Sequence, residues 1–283
     1  MEFKDIHIRD PFILAEGGKY YLYGSRGDET WGKCTGLDVY TSSDLKNWSD
    51  AYRVFTPAED FWADMHFWAP EVHKYNDEYY MFVSFKSLDK CRGTQILKSC
   101  SPMGPFVVHS DGPVTPSDWE CLDGTLYIEN GVPYMVFCHE WTQIGDGEIC
   151  VMELTKDLKK ASSEPMVLFK ASEPSWSDGY LPDKYVTDGP FMYRTQGGRL
   201  LMIWSSFAKK QYCEAISYSD NGSIFGKWLH EDRLLFEENG GHGMLFETFD
   251  KELMFIQHSP NNPPDERPCI FKVTEKEQSL FID

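Results

Sequence analysis

The chain has no apolar stretch of the roughly 20 residues that a membrane-spanning helix requires. Positive charge is scarce: Lys and Arg total 27 against 45 Asp and Glu, a formal charge of −18. A surface this acidic excludes binding to nucleic acid, whose phosphates demand a basic patch, and to an anionic membrane. It suits a neutral or cationic ligand and keeps the chain soluble. None of the eight cysteines forms a CxxC pair or has the spacing of zinc ligands, and several lie inside strand patterns such as YMVFCHEW, so free thiols are expected. There is no low-complexity tract and no linker. The 16 prolines and 22 glycines are scattered over turns, and residues 1–283 are expected to form one catalytic domain without an accessory domain. MEFKDIHIRD shows no charged-then-apolar leader, which gives a cytoplasmic expectation. Oligomeric state carries no sequence signal.

A repeat is present instead. Five times a segment opens on a small or acidic turn, alternates apolar residues, crosses a polar hairpin tip and returns as an aromatic-rich strand. The openings are Asp10 (DPFILAEGGKYYLY), Ala69 (APEVHKYNDEYYMF), Asp123 (DGTLYIENGVPYMV), Asp188 (DGPFMYRTQGGRLLMI) and His242 (HGMLFETFDKELMFI), at offsets of 59, 54, 65 and 54. A second series of turns, at Asp44, Ser101, Asp157 and Asp220, follows the openings by 34, 32, 34 and 32 residues. Two signals in one phase predict an all-β, five-bladed β-propeller, each unit holding about four short strands. Only 41 residues follow His242, so the opening strand EFKDIHI is expected to help close the ring.

Residues that begin the innermost strands of a propeller converge on its axis. Asp10, Asp123 and Asp188 should therefore share one funnel, with His242 beside them. Each aspartate alone reads equally well as the cap of a tight turn, since DP and DG are common turn pairs. Three together point to chemistry. Crowded, buried carboxyls split into ionised and protonated members, and such a pair is what hydrolysis of a glycosidic bond needs.

The phrases IRDPFIL (8–14), WAPEVH (68–73), DGTLYIENG (123–131), TDGPFMYRT (187–195), LLMIWSS (200–206) and GGHGMLF (240–246) together resemble glycoside hydrolase family 43, in order and in phase. The resemblance implies a five-bladed propeller that hydrolyses glycosides with inversion, mostly on arabinose- or xylose-containing glycans. It implies Asp10 as general base, and Asp123 as the residue that orients the acid and tunes its pKa. At the acid's place the family usually has glutamate, in an EGP-like phrase; here TDGP supplies Asp188, one methylene shorter. The acid is therefore Asp188 or, failing that, Glu71 in WAPEV, with Glu140 a weaker substitute. The resemblance also places His242 near a hydrated ion, often calcium, which a histidine would hold through water because calcium prefers oxygen. The alternative is a hydrogen-bonded histidine without metal. No cofactor is otherwise required.

Trp68 is the foremost candidate platform for a sugar face, ahead of Trp31, Trp119, Trp141 and Trp176. Phe12 and Phe191 are expected to shape the pocket, and Arg267 to reach a sugar hydroxyl. A cytoplasmic enzyme would meet short oligosaccharides, so exo-action releasing a terminal pentose is expected, as an α-L-arabinofuranosidase or a β-xylosidase. A galactosidase, a phosphorylase using Arg9, and a non-catalytic sugar-binding propeller remain alternatives.

Overall fold

The structure, a computed structural model, describes residues 1–283. Twenty strands form five four-stranded antiparallel sheets, each built from consecutive strands. The first blade holds β1 (Ile8–Glu16), β2 (Lys19–Arg26), β3 (Leu37–Ser42) and β4 (Tyr52–Phe55). The second holds β5 (Met65–Tyr75), β6 (Glu78–Ser87), β7 (Lys90–Ser99) and β8 (Val107–Val108). In the third are β9 (Cys121–Glu129), β10 (Val132–His139), β11 (Glu148–Glu153) and β12 (Met166–Lys170). The fourth has β13 (Asp188–Arg194), β14 (Leu200–Ala208), β15 (Gln211–Ser219) and β16 (Trp228–Phe236). The last has β17 (Gly241–Glu247), β18 (Leu253–Ser259), β19 (Arg267–Lys276) and β20 (Ser279–Ile282). One short helix, α1 (Trp141–Ile144), follows β10.

The cores lie between blades. The alternating apolar residues of each sheet meet those of the next, as in the cluster that joins Leu122, Val136, Ile149 and Phe169 to Met202, Trp204 and Trp228. Burying such side chains stabilises by about 1.5–3 kcal/mol each, which is why a ring of small sheets holds without a central core. Four of the eight cysteines are buried in these layers as free thiols.

Ring closure departs from expectation. The last 41 residues suffice for a complete blade, and EFKDIHI adds no strand to it: residues Phe3–Asp5 form a 3-10 turn, and the chain enters β1 directly at Ile8. Closure is made by side chains. The backbone N–H of Ala69 donates to Ser25 Oγ (2.8 Å), that of Asp123 to Ser84 Oγ (2.9 Å), and that of His242 to Ser205 Oγ (2.6 Å). Each acceptor lies on the second strand of the preceding blade. At the seam between the last blade and the first, His258 on β18 takes the serine's place and accepts from Asp10 N–H at 3.3 Å.

Candidate active site on the propeller axis

Each innermost strand carries a β-bulge where it meets the axis. Two residues oppose one on the partner strand between Arg9 and Phe12, Trp68 and Glu71, Asp188 and Phe191, and Gly241 and Met244, with the same irregularity opposite Val136–Cys138 in the third blade. One residue of each bulge is left-handed: Asp10 (φ 51), Ala69 (φ 46), Asp123 (φ 57), Gly189 (φ 51) and His242 (φ 53). A bulge re-aims the side chains around it, which explains why two successive positions can face one axis.

This register corrects the fourth opening. Gly189, not Asp188, matches Asp10 and Asp123; Asp188 instead matches Arg9, Trp68, Leu122 and Gly241. DGP fits the repeat by its aspartate, but GPF fits DPF and APE by its proline, and the proline is the true marker. Gly189 is required there: besides its left-handed backbone, a Cβ would come within 2.7 Å of His242 Cδ2 and 3.1 Å of His242 Cα. Gly189→Ala should cost about 1–3 kcal/mol from backbone strain alone, read as a Tm lowered by about 5 °C in a thermal melt.

Asp10, Asp123, Asp188, His242 and Trp68 line one cavity on the axis, together with Arg9, Thr30, Trp31, Leu122, Glu140 and Trp141. His242 Nδ1 stands 3.3 Å from Asp10 Oδ1 and 3.7 Å from Asp123 Oδ2. Ser25 donates to Asp10 Oδ2 (2.5 Å), and Gly189 N–H donates to Asp123 Oδ2 (3.0 Å). Tyr212 donates its phenolic hydrogen to Asp188 Oδ2 (2.9 Å). Because His258 Nδ1 accepts from the Asp10 amide, its proton sits on Nε2, which faces Asn261 Oδ1 at 3.3 Å.

The three aspartates sit in unequal fields. Burial opposes the charge of Asp10, yet His242, Arg9 and His258 and the Ser25 hydroxyl together hold its pKa below the ordinary carboxylate value. Burial first, then the charge of Asp123, pushes Asp188 up to about 7. Asp123 is also raised, by burial and then by Asp10. Near neutrality the cavity thus holds an ionised Asp10, while the acids opposite retain a proton. His258 is held neutral, its pKa brought down to about 3 by burial and then by Arg9.

A fourth buried acid lies behind the wall. Glu214 on β15 is fully enclosed, accepting from Ser205 Oγ (2.6 Å) and Gly243 N–H (3.2 Å), and burial raises it from 4.5 to about 8. Its folded pKa lies above its unfolded one, so folding retains a proton that the unfolded chain releases, and stability falls as pH rises through that window. Glu214→Gln removes this loss. Its Tm should match or fall below the parent's at pH 5 and exceed it at pH 8, a difference on the order of a few kcal/mol.

Several expected residues lie elsewhere. Glu71, Phe12 and Phe191 each follow the left-handed position by two, past the bulge, and are packed away from the cavity. Glu71 is buried against His73 Nε2 at 2.9 Å, and Phe12 packs edge-on to His73 and Phe191. Glu71 therefore cannot reach a leaving group in the cavity. Arg267 is tied to backbone carbonyls of Pro264 and Glu266. The residue of that loop that matters is its neighbour Glu266, which accepts from Arg9 Nη1 at 2.9 Å. Trp119 and Trp176 pack against inter-blade clusters, Trp119 stacking on His139. Trp31 and Trp141 do line the cavity. Trp31 is 59% exposed and meets Trp68 edge-on, while Trp141 meets Tyr180, itself 50% exposed. His66 and Arg92, touching at 3.1 Å, back one face of Trp68, and Arg92 pairs with Glu140.

Calcium does not fit the axial residues as a directly held ion. No group of three His, Cys, Asp or Glu side chains is arranged around a metal position. His242 directs Nδ1 at two carboxyls, whereas calcium takes six to eight oxygens. The chemistry below uses protein groups alone.

A five-bladed propeller whose axial cavity pairs an ionised carboxylate with a proton-bearing one has the architecture of an acid–base glycoside hydrolase. The profile of "Glycosyl hydrolases family 43" matches residues 4–277, and the chain belongs to that family. It is similar to an endo-arabinase from Bacteroides thetaiotaomicron VPI-5482, with a TM-score of 0.91 and 39% identity over 98% of both chains. An endo-1,4-beta-xylanase from the same organism superposes with a TM-score of 0.81 at 26% identity, over 98% of this chain and 94% of that one. The extracellular endo-alpha-(1->5)-L-arabinanase 1 of Bacillus subtilis (strain 168) is 26% identical over 252 residues, covering 83% of this chain and 71% of the relative. That relative works outside the cell, which overturns the cytoplasmic expectation; the start of the chain was no guide to location.

Proposed function

We propose that the protein is a secreted, inverting endo-arabinanase that cuts α-1,5-linked L-arabinan. The observation that carries the chemistry is the unequal protonation of Asp10 and Asp188 in one open cavity. Asp10, ionised, takes a proton from a water that attacks the anomeric carbon. Asp188 gives its proton to the departing glycosidic oxygen, and the bond to the anomeric carbon breaks as the bond to water forms. Acid and base in such a site stand about 6.5–9.5 Å apart to admit the water. Asp123, fixed by the Gly189 amide and 3.7 Å from His242 Nδ1, raises the pKa of Asp188.

Endo-action is favoured over the exo-action expected from the sequence, because that expectation rested on the location now corrected. Aromatic pairs stand at the cavity, exposed Trp31 with half-buried Trp68 and half-buried Trp141 with exposed Tyr180, and both can stack on furanose faces. Similarity to proteins described as endo-arabinases supports the sugar. A phosphorylase is disfavoured. Arg9, the one Arg or Lys side chain at the cavity wall, is already paired with Glu266 and stacked over Trp31.

The test is digestion of debranched arabinan, xylan and 4-nitrophenyl α-L-arabinofuranoside, with products sized at early times. Arabino-oligosaccharides of mixed length from arabinan alone are expected. Arabinose as the sole early product would mean exo-action, xylan cleavage alone would overturn the sugar, and inert mixtures throughout would overturn the hydrolase reading.

A further inference from the structure

Tyr212 departs from the fivefold pattern of the ring. It is the second residue of β15, fully buried, and its hydroxyl reaches the axis beside Asp188. The ring can pass because the matching position of the last blade is Gly241. A Cβ there would come within 2.7 Å of Tyr212 Cε1. Where other blades place Arg9, Trp68, Leu122 or Asp188, the last blade leaves room for a side chain from its neighbour. Stacking on His258, with centroids 5.7 Å apart at 23°, fixes the phenol plane. His258 in turn accepts from the Asp10 amide, so one layer of side chains supports both acid and base.

The hydroxyl has a single partner, Asp188 Oδ2 at 2.9 Å. A buried hydroxyl without an acceptor is costly, so Tyr212 donates and Oδ2 accepts. Oδ1 of Asp188 has no protein partner and is not sealed from the cavity. We propose that Tyr212 is a positioning residue for the acid: by occupying Oδ2, it places the acidic proton of Asp188 on Oδ1, the oxygen that faces substrate. This rests on Asp188 being the acid, and it answers how the shorter side chain can present its proton in one direction.

The groups facing Asp188 from the surrounding strands are Asp10 on β1, Asp123 on β9, Cys138 on β10, Glu214 on β15 and His242 on β17. None of them donates a hydrogen bond to Asp188. Tyr212 alone stabilises its ionised form in that way, so removal of the hydroxyl raises its pKa further.

The experiment is a titration of ¹³C-labelled aspartate carboxyls by NMR in the parent, in Tyr212→Phe, and in a protein carrying 3-fluorotyrosine at position 212, with Asp188→Asn used to assign the signal. The midpoint of Asp188 should rise by about one pH unit in Tyr212→Phe, because a hydrogen bond to an ionised group is lost. It should fall with 3-fluorotyrosine, a more acidic donor of the same shape. The high-pH limb of kcat/KM on arabinan should move with it, and kcat on the natural linkage should drop by about tenfold or more. An Asp188 midpoint unchanged or displaced the other way in either protein would overturn the proposal. If Tyr212→Phe does not fold, the fluorinated protein decides alone. The titration needs no substrate, so it stands apart from failure of the arabinan reading, which the parent's own digestion reports.

Discussion

Asp10→Asn should lower kcat on arabinan by about 10³–10⁴-fold, toward the upper end of what one general base supplies. The amide keeps the shape and can still accept from Ser25, so KM and Tm should change little. What it loses is the negative charge that His242, Arg9 and His258 are arranged to keep in place against burial. Two neighbours are poor replacements as base: His258 faces Asn261, and Asp123 is itself pushed toward its protonated form. Reducing-sugar release at pH 6 measures the effect. A loss under tenfold would move the base away from Asp10.

Asp188→Asn should behave differently, and the difference identifies the acid. On arabinan, whose leaving group is a sugar hydroxyl, kcat should fall by about 10²–10⁴-fold. On a 4-nitrophenyl arabino-oligosaccharide, whose leaving group departs as a stable anion, it should fall far less. The parent's kcat/KM profile should be bell-shaped, with a low-pH limb set by Asp10 below the ordinary carboxylate range and a high-pH limb near Asp188's value of about 7. In Asp188→Asn the high-pH limb should disappear. A variant that loses both substrates equally and keeps its bell would exclude Asp188 as the acid.

Much of this was legible in the chain. The repeat gave five blades because alternating apolar strands and turn residues recur at a nearly constant period, and the DP and DG pairs marked where strands reach the axis. What periodicity could not supply was the bulge. It lets two successive residues face one cavity, so an alignment by aspartate put Asp188 one place late in the ring, although Asp188 does line the cavity. The same geometry removes Glu71, two positions on, which sequence spacing alone could not distinguish from Asp188. Arg267 missed by one: it begins β19, and the loop residue before it, Glu266, is the one that reaches Arg9. Tyr212 and His258 gave only a faint signal. Ser25, Ser84, Cys138, Ser205 and His258 follow their blades' left-handed residues by 15, 15, 15, 16 and 16 positions, so a second-strand series was present to be read, and all but Cys138 accept the next blade's axial amide. That the last of these closes the ring on Asp10 depends on contacts across 248 residues, which no local pattern reports.

In the proposed mechanism Asp10 and Asp188 act on opposite faces of the anomeric carbon in a single displacement. ¹H NMR of an α-1,5-arabino-oligosaccharide during the first minutes of digestion, before mutarotation blurs the result, tests it most directly. Under inversion, new reducing ends appear as the β anomer and convert to the equilibrium mixture later. New ends appearing first as the α anomer would mean retention through a covalent intermediate, and would contradict the pairing of an ionised Asp10 with water.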